Sequence, residues 1–65
     1  MQLQVNGEVI TVQSATLAAL MGELGLDGRK VAVERNLEIV PKGLYAQTAL
    51  AEGDRLEIVH FIGGG

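Results

Sequence analysis

Few residues of this chain could do chemistry on their own. His60 is its one histidine, and none of its 65 residues is a cysteine. A nucleophile–base pair or a zinc site of thiolates and imidazoles therefore cannot be assembled. His60 falls in the last strand-like stretch and reads as a structural residue near that strand's end. The acidic residues are scattered singly, whereas acid–base catalysis by two carboxylates needs them to converge in a buried place. Gly53-Asp54 lacks the Lys-Ser/Thr that completes a phosphate-binding loop, so it reads as a turn. The sequence points to a protein without an active site of its own.

That leaves the closing residues, Gly63-Gly64-Gly65. Three glycines after a strand contribute nothing to packing and are entropically costly to order. One reading is simply a frayed end. The other is a slim stem that carries an α-carboxylate into the narrow active site of another protein. Glycine has no Cβ to clash there, and its backbone can approach a nucleotide phosphate closely. The reactive group would then be the carboxylate of Gly65, with Gly63 and Gly64 as its flexible stem. The stretch just before the glycines carries Val59 and Phe61, which would lie on its outward face.

The elements that must position this stem follow from periodicity. Leu3 and Val5 alternate with Gln2 and Gln4, and Asn6-Gly7 suits a type I′ turn into Glu8–Val12. A two-residue loop pairs Val5 with Glu8 and Leu3 with Ile10. Leu3, Val5, Ile10 and Val12 then share one face. From Thr16 the period changes: Leu17, Leu20, Met21 and Leu24 form one helical stripe. Thr16 is the expected N-cap, with Ser14 as a competitor. Gly25 suits a left-handed C′ position, and Leu26 the apolar contact of a Schellman motif. Val31–Glu34 reads as a third strand, Arg35-Asn36 as a turn, and Leu37–Val40 as a short fourth strand. Pro41-Lys42-Gly43 breaks the pattern, and 44–50 reads as irregular with a short helical turn. After the turn Glu52-Gly53-Asp54, Arg55–Phe61 is the last strand, with Leu56 and Ile58 opposite Glu57, Val59 and Phe61. The predicted fold is α+β, a mixed sheet of four to five strands packed on one helix, with residues 1–62 as the domain and 63–65 as a flexible tail.

Composition narrows the function classes. Hydrophobic residues make up 48% of the chain, enough for a small core and too many for a disordered linker. The formal net charge of −3 disfavours nucleic acid and anionic membranes, which attract clustered Lys and Arg. Tyr45 and Phe61 are the only aromatics, too few for a base-stacking surface. No stretch is long and apolar enough to span a bilayer, and the start lacks the basic and apolar regions of a signal peptide. A cytoplasmic protein is the expectation.

Several segments together carry a resemblance: Val33-Glu34-Arg35-Asn36, Glu38-Ile39-Val40-Pro41, Glu52-Gly53-Asp54, and Ile58-Val59-His60-Phe61-Ile62-Gly63-Gly64-Gly65. The chain resembles the sulfur carriers of the thiamine pathway, within the ubiquitin-like β-grasp family, over nearly its whole length. The resemblance implies a consumed and regenerated cosubstrate rather than an enzyme. An adenylating enzyme would use ATP and Mg²⁺ to activate the Gly65 carboxylate. Sulfur from a cysteine desulfurase route would displace AMP, and thiazole synthase would take that sulfur from the resulting thiocarboxylate. The carrier itself would bind no cofactor or metal. Glu57, Val59, Phe61 and Ile62 are the expected docking residues, although Phe61 could instead fold back over an edge of the core. The alternatives are a sulfur carrier for molybdopterin synthesis and a ubiquitin-like interaction module or tag.

Overall fold

The computed structural model describes residues 1–61. The expected tail 63–65, and Ile62 before it, lie outside the described residues. Five strands, β1 (Gln2–Val5), β2 (Glu8–Thr11), β3 (Val31–Arg35), β4 (Glu38–Val40) and β5 (Arg55–His60), form one sheet in the order β2-β1-β5-β3-β4. The helix α1 (Leu17–Glu23) covers one face. β5 is the middle strand, parallel to β1 and antiparallel to β3.

The first hairpin has the register expected from its turn: Val5 pairs with Glu8 and Leu3 with Ile10. Asn6 (φ 50°) and Gly7 (φ 84°) both take the positive angles that a type I′ turn requires. Asn6 does more than turn the chain. Its Oδ1 accepts from Ile58 N at 2.7 Å, and its Nδ2 donates to Ile58 O at 3.1 Å. The amide side chain thus continues the β1–β5 ladder one step after the backbone of β1 has turned away.

Thr16 caps α1, accepting from Ala19 N at 3.2 Å. Ser14 has another partner, the carboxylate of Glu23, which also accepts from the Gln13 and Ser14 backbone amides. The Ser14 hydroxyl is the main reason the Glu23 carboxyl sits below its ordinary pKa. At the other end Gly25 is left-handed (φ 73°), Leu26 N donates to Met21 O at 2.8 Å, and Gly25 N to Gly22 O at 3.1 Å. Those two bonds are the Schellman pair, and Leu26 packs against the core as the motif prefers.

Leu17, Leu20 and Met21 of the predicted stripe are buried, and Leu24 is half-buried at its end. They meet Leu3, Val31, Val33, Leu56 and Ile58 from the sheet in one cluster. Tyr45 and Leu50 close its edge. Two backbone bonds, Leu17 N to Thr48 O and Leu50 N to Ala15 O, both 2.9 Å, fasten the segment after β4 to the start of the helix.

Three expectations need correction. The turn between β3 and β4 is Asn36-Leu37, not Arg35-Asn36: both residues have positive φ, 50° and 73°, and Arg35 pairs with Glu38. β4 accordingly starts at Glu38, one residue late. The helical turn expected within 44–50 is a 3₁₀ helix, Lys42–Gln47, that starts two residues earlier, inside the expected break 41–43, and a shorter 3₁₀ turn, Gly28–Lys30, precedes β3. β5 ends at His60, one residue before the predicted end, although Phe61 N still donates to Lys30 O at 2.9 Å.

Candidate functional site

The glycine end leaves the domain from the middle strand of the sheet. Alternation along β5 sends Leu56 and Ile58 into the core and leaves Glu57 and Val59 on the open face. Val59 is 59% exposed and pairs across with Ala32 of β3. Phe61 is 46% exposed and stands outside the core cluster. Of the four expected docking residues, Glu57, Val59 and Phe61 are therefore accessible next to the exit of the tail. Ile62, like Gly63, Gly64 and Gly65, lies outside the described residues. His60 is exposed as the last residue of β5, beyond the cover of the helix.

The register adds residues that the sequence did not single out. Glu34 of β3 pairs with Glu57 on one side and with Ile39 of β4 on the other. Two carboxylates thus face each other across neighbouring strands, although they are far apart in sequence. Leu37 and Ile39, both largely exposed, join them at the margin. A shallow depression of the open face is lined by Gln4, Gly7, Glu34, Leu37, Arg55 and Glu57. Like charges directly opposite each other destabilise an isolated sheet, and exposed Leu and Ile bring it nothing. A partner that offers a cation and apolar surface would relieve both.

The one buried charge among the described residues serves the fold. Asp54 is 6% exposed and accepts from Arg35 Nε at 2.9 Å, Asn36 Nδ2 at 3.1 Å and Ala51 N at 2.8 Å. Burial pushes its carboxyl up, but these hydrogen bonds outweigh that and hold it below its ordinary pKa. The carboxylate locks the second hairpin's turn onto the start of β5.

A larger groove of about 660 Å³ lies on the helix side, lined in part by Met21, Gly22, Leu26, Lys42 and Tyr45. Its charged rim is already committed. The Asp27 carboxylate holds Arg29, which lowers its pKa to about 2, and Lys42 Nζ donates to Arg29 O at 2.7 Å. Among the described residues no cluster of His, Asp or Glu could hold a metal ion. No helix among them is long and apolar enough to cross a membrane.

Among the described residues one α-helix laid across a five-stranded mixed sheet defines a small ubiquitin-like β-grasp protein. The family model of the ThiS family matches residues 3–65, and the chain belongs to that family. It is 40% identical to the sulfur carrier protein ThiS of Bacillus subtilis, over 97% of this chain and 98% of that protein. A crystal structure of the thiamine biosynthesis protein ThiS from Geobacter metallireducens superposes with a TM-score of 0.84 at 33% identity, covering 100% of both chains. The chain is also 65% identical, over its whole length, to part of a thiazole synthase from Paramagnetospirillum magneticum. It spans 20% of that relative's length. The sequence reading of a ubiquitin-like β-grasp protein of this family is borne out by the family model, the relative and the fold together.

Proposed function

We propose that the chain carries sulfur on the carboxylate of Gly65 as a cosubstrate, with no active site of its own. The observation that carries this reading is the reach of the family match, which runs from residue 3 through Gly65 and so includes the glycine stem. A carboxylate oxygen of Gly65 attacks the α-phosphorus of ATP on an adenylating enzyme, with Mg²⁺ there and pyrophosphate leaving. AMP is then a good leaving group at the acyl carbon. The terminal sulfur of a persulfide made by a cysteine desulfurase attacks the acyl carbon and AMP leaves. A thiol then cleaves the S–S bond of that acyl disulfide, becoming a disulfide itself, and leaves a thiocarboxylate. Thiazole synthase takes the sulfur, and the carboxylate returns for another cycle. The relative named thiazole synthase, which holds a region 65% identical to this chain, supports that last partner. With no cysteine in the chain, no internal thiol competes for the acyl-adenylate.

The open face of the sheet is the docking surface in this reading. Glu57, Val59 and Phe61 lie along the strand that leads to Ile62 and the glycines, so a partner that grips them aims the stem. The test is intact-protein mass spectrometry on the protein isolated from cells. The expected spectrum shows a polypeptide ending at Gly65, and a fraction heavier by the exchange of one oxygen for sulfur. That fraction should disappear when the adenylating enzyme is deleted. A single unmodified mass in cells that are making thiamine would overturn the reading.

A further inference from the structure

The 3₁₀ turn Gly28–Lys30 is fixed at its start. Asp27 Oδ1 accepts from Arg29 N at 2.9 Å, and the same carboxylate takes Arg29 Nε at 3.1 Å and Nη2 at 3.0 Å. The two carbonyls that follow are used in succession. Arg29 O accepts from Lys42 Nζ at 2.7 Å, and Lys30 O accepts from Phe61 N at 2.9 Å. Lys42 Nζ also lies 4.2 Å from the centroid of the Phe61 ring, within the range of a cation–π contact. One short turn therefore holds Phe61 twice, by its backbone directly and by its ring through the Lys42 ammonium.

Neither side chain is part of the core, and Lys42 is exposed. Immobilising a lysine costs rotamer entropy, and no burial of Lys42 offsets it. We propose that Lys42 is a positioning residue for Phe61: it holds the ring beside the start of the glycine sequence and presents it already ordered to the partner. The proposal rests on the carrier reading and deepens it. The three glycines that close the sequence have no side chains to engage a partner, so Phe61, the last described residue before them, is the large side chain there that a partner can grip. When Phe61 is already held, a partner does not have to order it on binding, and that saving appears in KM rather than in kcat. Lys42 acts through Phe61.

The experiment uses the full chain with Lys42→Met, which keeps the length and removes the charge, and Lys42→Arg, which keeps a cation and its donors. Each is made in the wild-type and Phe61→Leu backgrounds. Two quantities are read: hydrogen exchange of the Phe61 amide, and ATP–pyrophosphate exchange by the adenylating enzyme at varied carrier concentration. Lys42→Met should speed Phe61 amide exchange about two- to fivefold and raise the carrier's KM by a similar factor, with kcat unchanged. Lys42→Arg should restore both, and in the Phe61→Leu background Lys42→Met should change neither. An unchanged Phe61 amide in Lys42→Met would overturn the proposal. So would the same rise in KM in both backgrounds, because Lys42 would then be touching the partner itself. If the wild-type chain supports no pyrophosphate exchange at all, it is the carrier reading that fails, and the amide measurement still decides whether Lys42 holds Phe61.

Discussion

Replacing Asp54 with Asn removes a charge while nearly preserving shape. The wild-type carboxylate takes three donors: Arg35 Nε, Asn36 Nδ2 and Ala51 N. A hydrogen bond to a charged group contributes ~1.5–3 kcal/mol, but the three here do not simply add. Arg35 and Asn36 are partly or fully exposed and regain water when released. An amide oxygen in the place of Oδ2 still accepts from Arg35 Nε and Ala51 N, without the charge, while the Asn36 Nδ2 donor loses its acceptor. The expected loss is about 2–3 kcal/mol at neutral pH. A domain of 65 residues has ~3–10 kcal/mol of stability in total, so the variant should unfold at a visibly lower urea concentration. The pH dependence has a definite sign. Asp54 has a folded pKa below its ordinary value. Its contribution is therefore complete above the unfolded carboxylate pKa, near 4, and is lost as pH falls through the lower folded value. Urea melts at pH 7 and at successively lower pH should show the gap between wild type and variant closing in that acid window. A gap under ~0.5 kcal/mol at pH 7, or one that stays constant down to pH 2, would refute the assigned role.

Leu20 is 0% exposed, and Leu20→Ala should cost about 2–5 kcal/mol in denaturant melts. Asn6→Ala should cost ~1–3 kcal/mol, because Ile58 N loses its acceptor in the middle of the sheet, and the amide of Ile58 should exchange with solvent markedly faster. Leu37 is 76% exposed at a positive φ, so Leu37→Gly should stabilise the domain by ~0.5–1 kcal/mol in the same melts. Phe61→Ala should leave the domain folded, with native amide dispersion, and raise the carrier concentration needed for half-maximal pyrophosphate exchange at least tenfold, as expected of an aromatic anchor worth about 2 kcal/mol.

The parts of the fold that were legible in the sequence are those where two independent signals agree. In the first hairpin, Asn6-Gly7 fixes the loop and the alternation of Leu3, Val5, Ile10 and Val12 fixes the face, and both give the observed register. The helix is bounded by Thr16 and by Gly25-Leu26, and its stripe has the right period between them. In the second hairpin the signals do not constrain each other. A turn at Arg35-Asn36 instead of Asn36-Leu37 displaces β4 by two residues along β3. A displacement of two leaves every side chain on the same face, so alternation cannot detect it. Only the turn residues could, and Leu is a poor marker for a left-handed position. The buried role of Asp54 was hidden for another reason. Its immediate neighbours read as a turn, which is correct, but its partners Arg35 and Asn36 come from a different hairpin. Glu34 and Glu57 likewise become neighbours only once β3 and β5 pair.

The features that cost the isolated domain most gather on one side of it. Leu37 holds a strained backbone and exposes an apolar side chain. Glu34 and Glu57 oppose each other across β3 and β5, and Ile39 and Val59 face outward from the same sheet. Elsewhere local preference and global structure agree: caps are made, the stripe is buried, and among the described residues every buried side-chain nitrogen and oxygen has a partner. A sequence that satisfies these rules in its core and departs from them on one open face is arranged for something that covers that face. β5, which ends in Val59 and His60, crosses the middle of it. A partner that supplies apolar surface to Leu37, Ile39 and Val59 would cover the side chains that the isolated domain leaves exposed there.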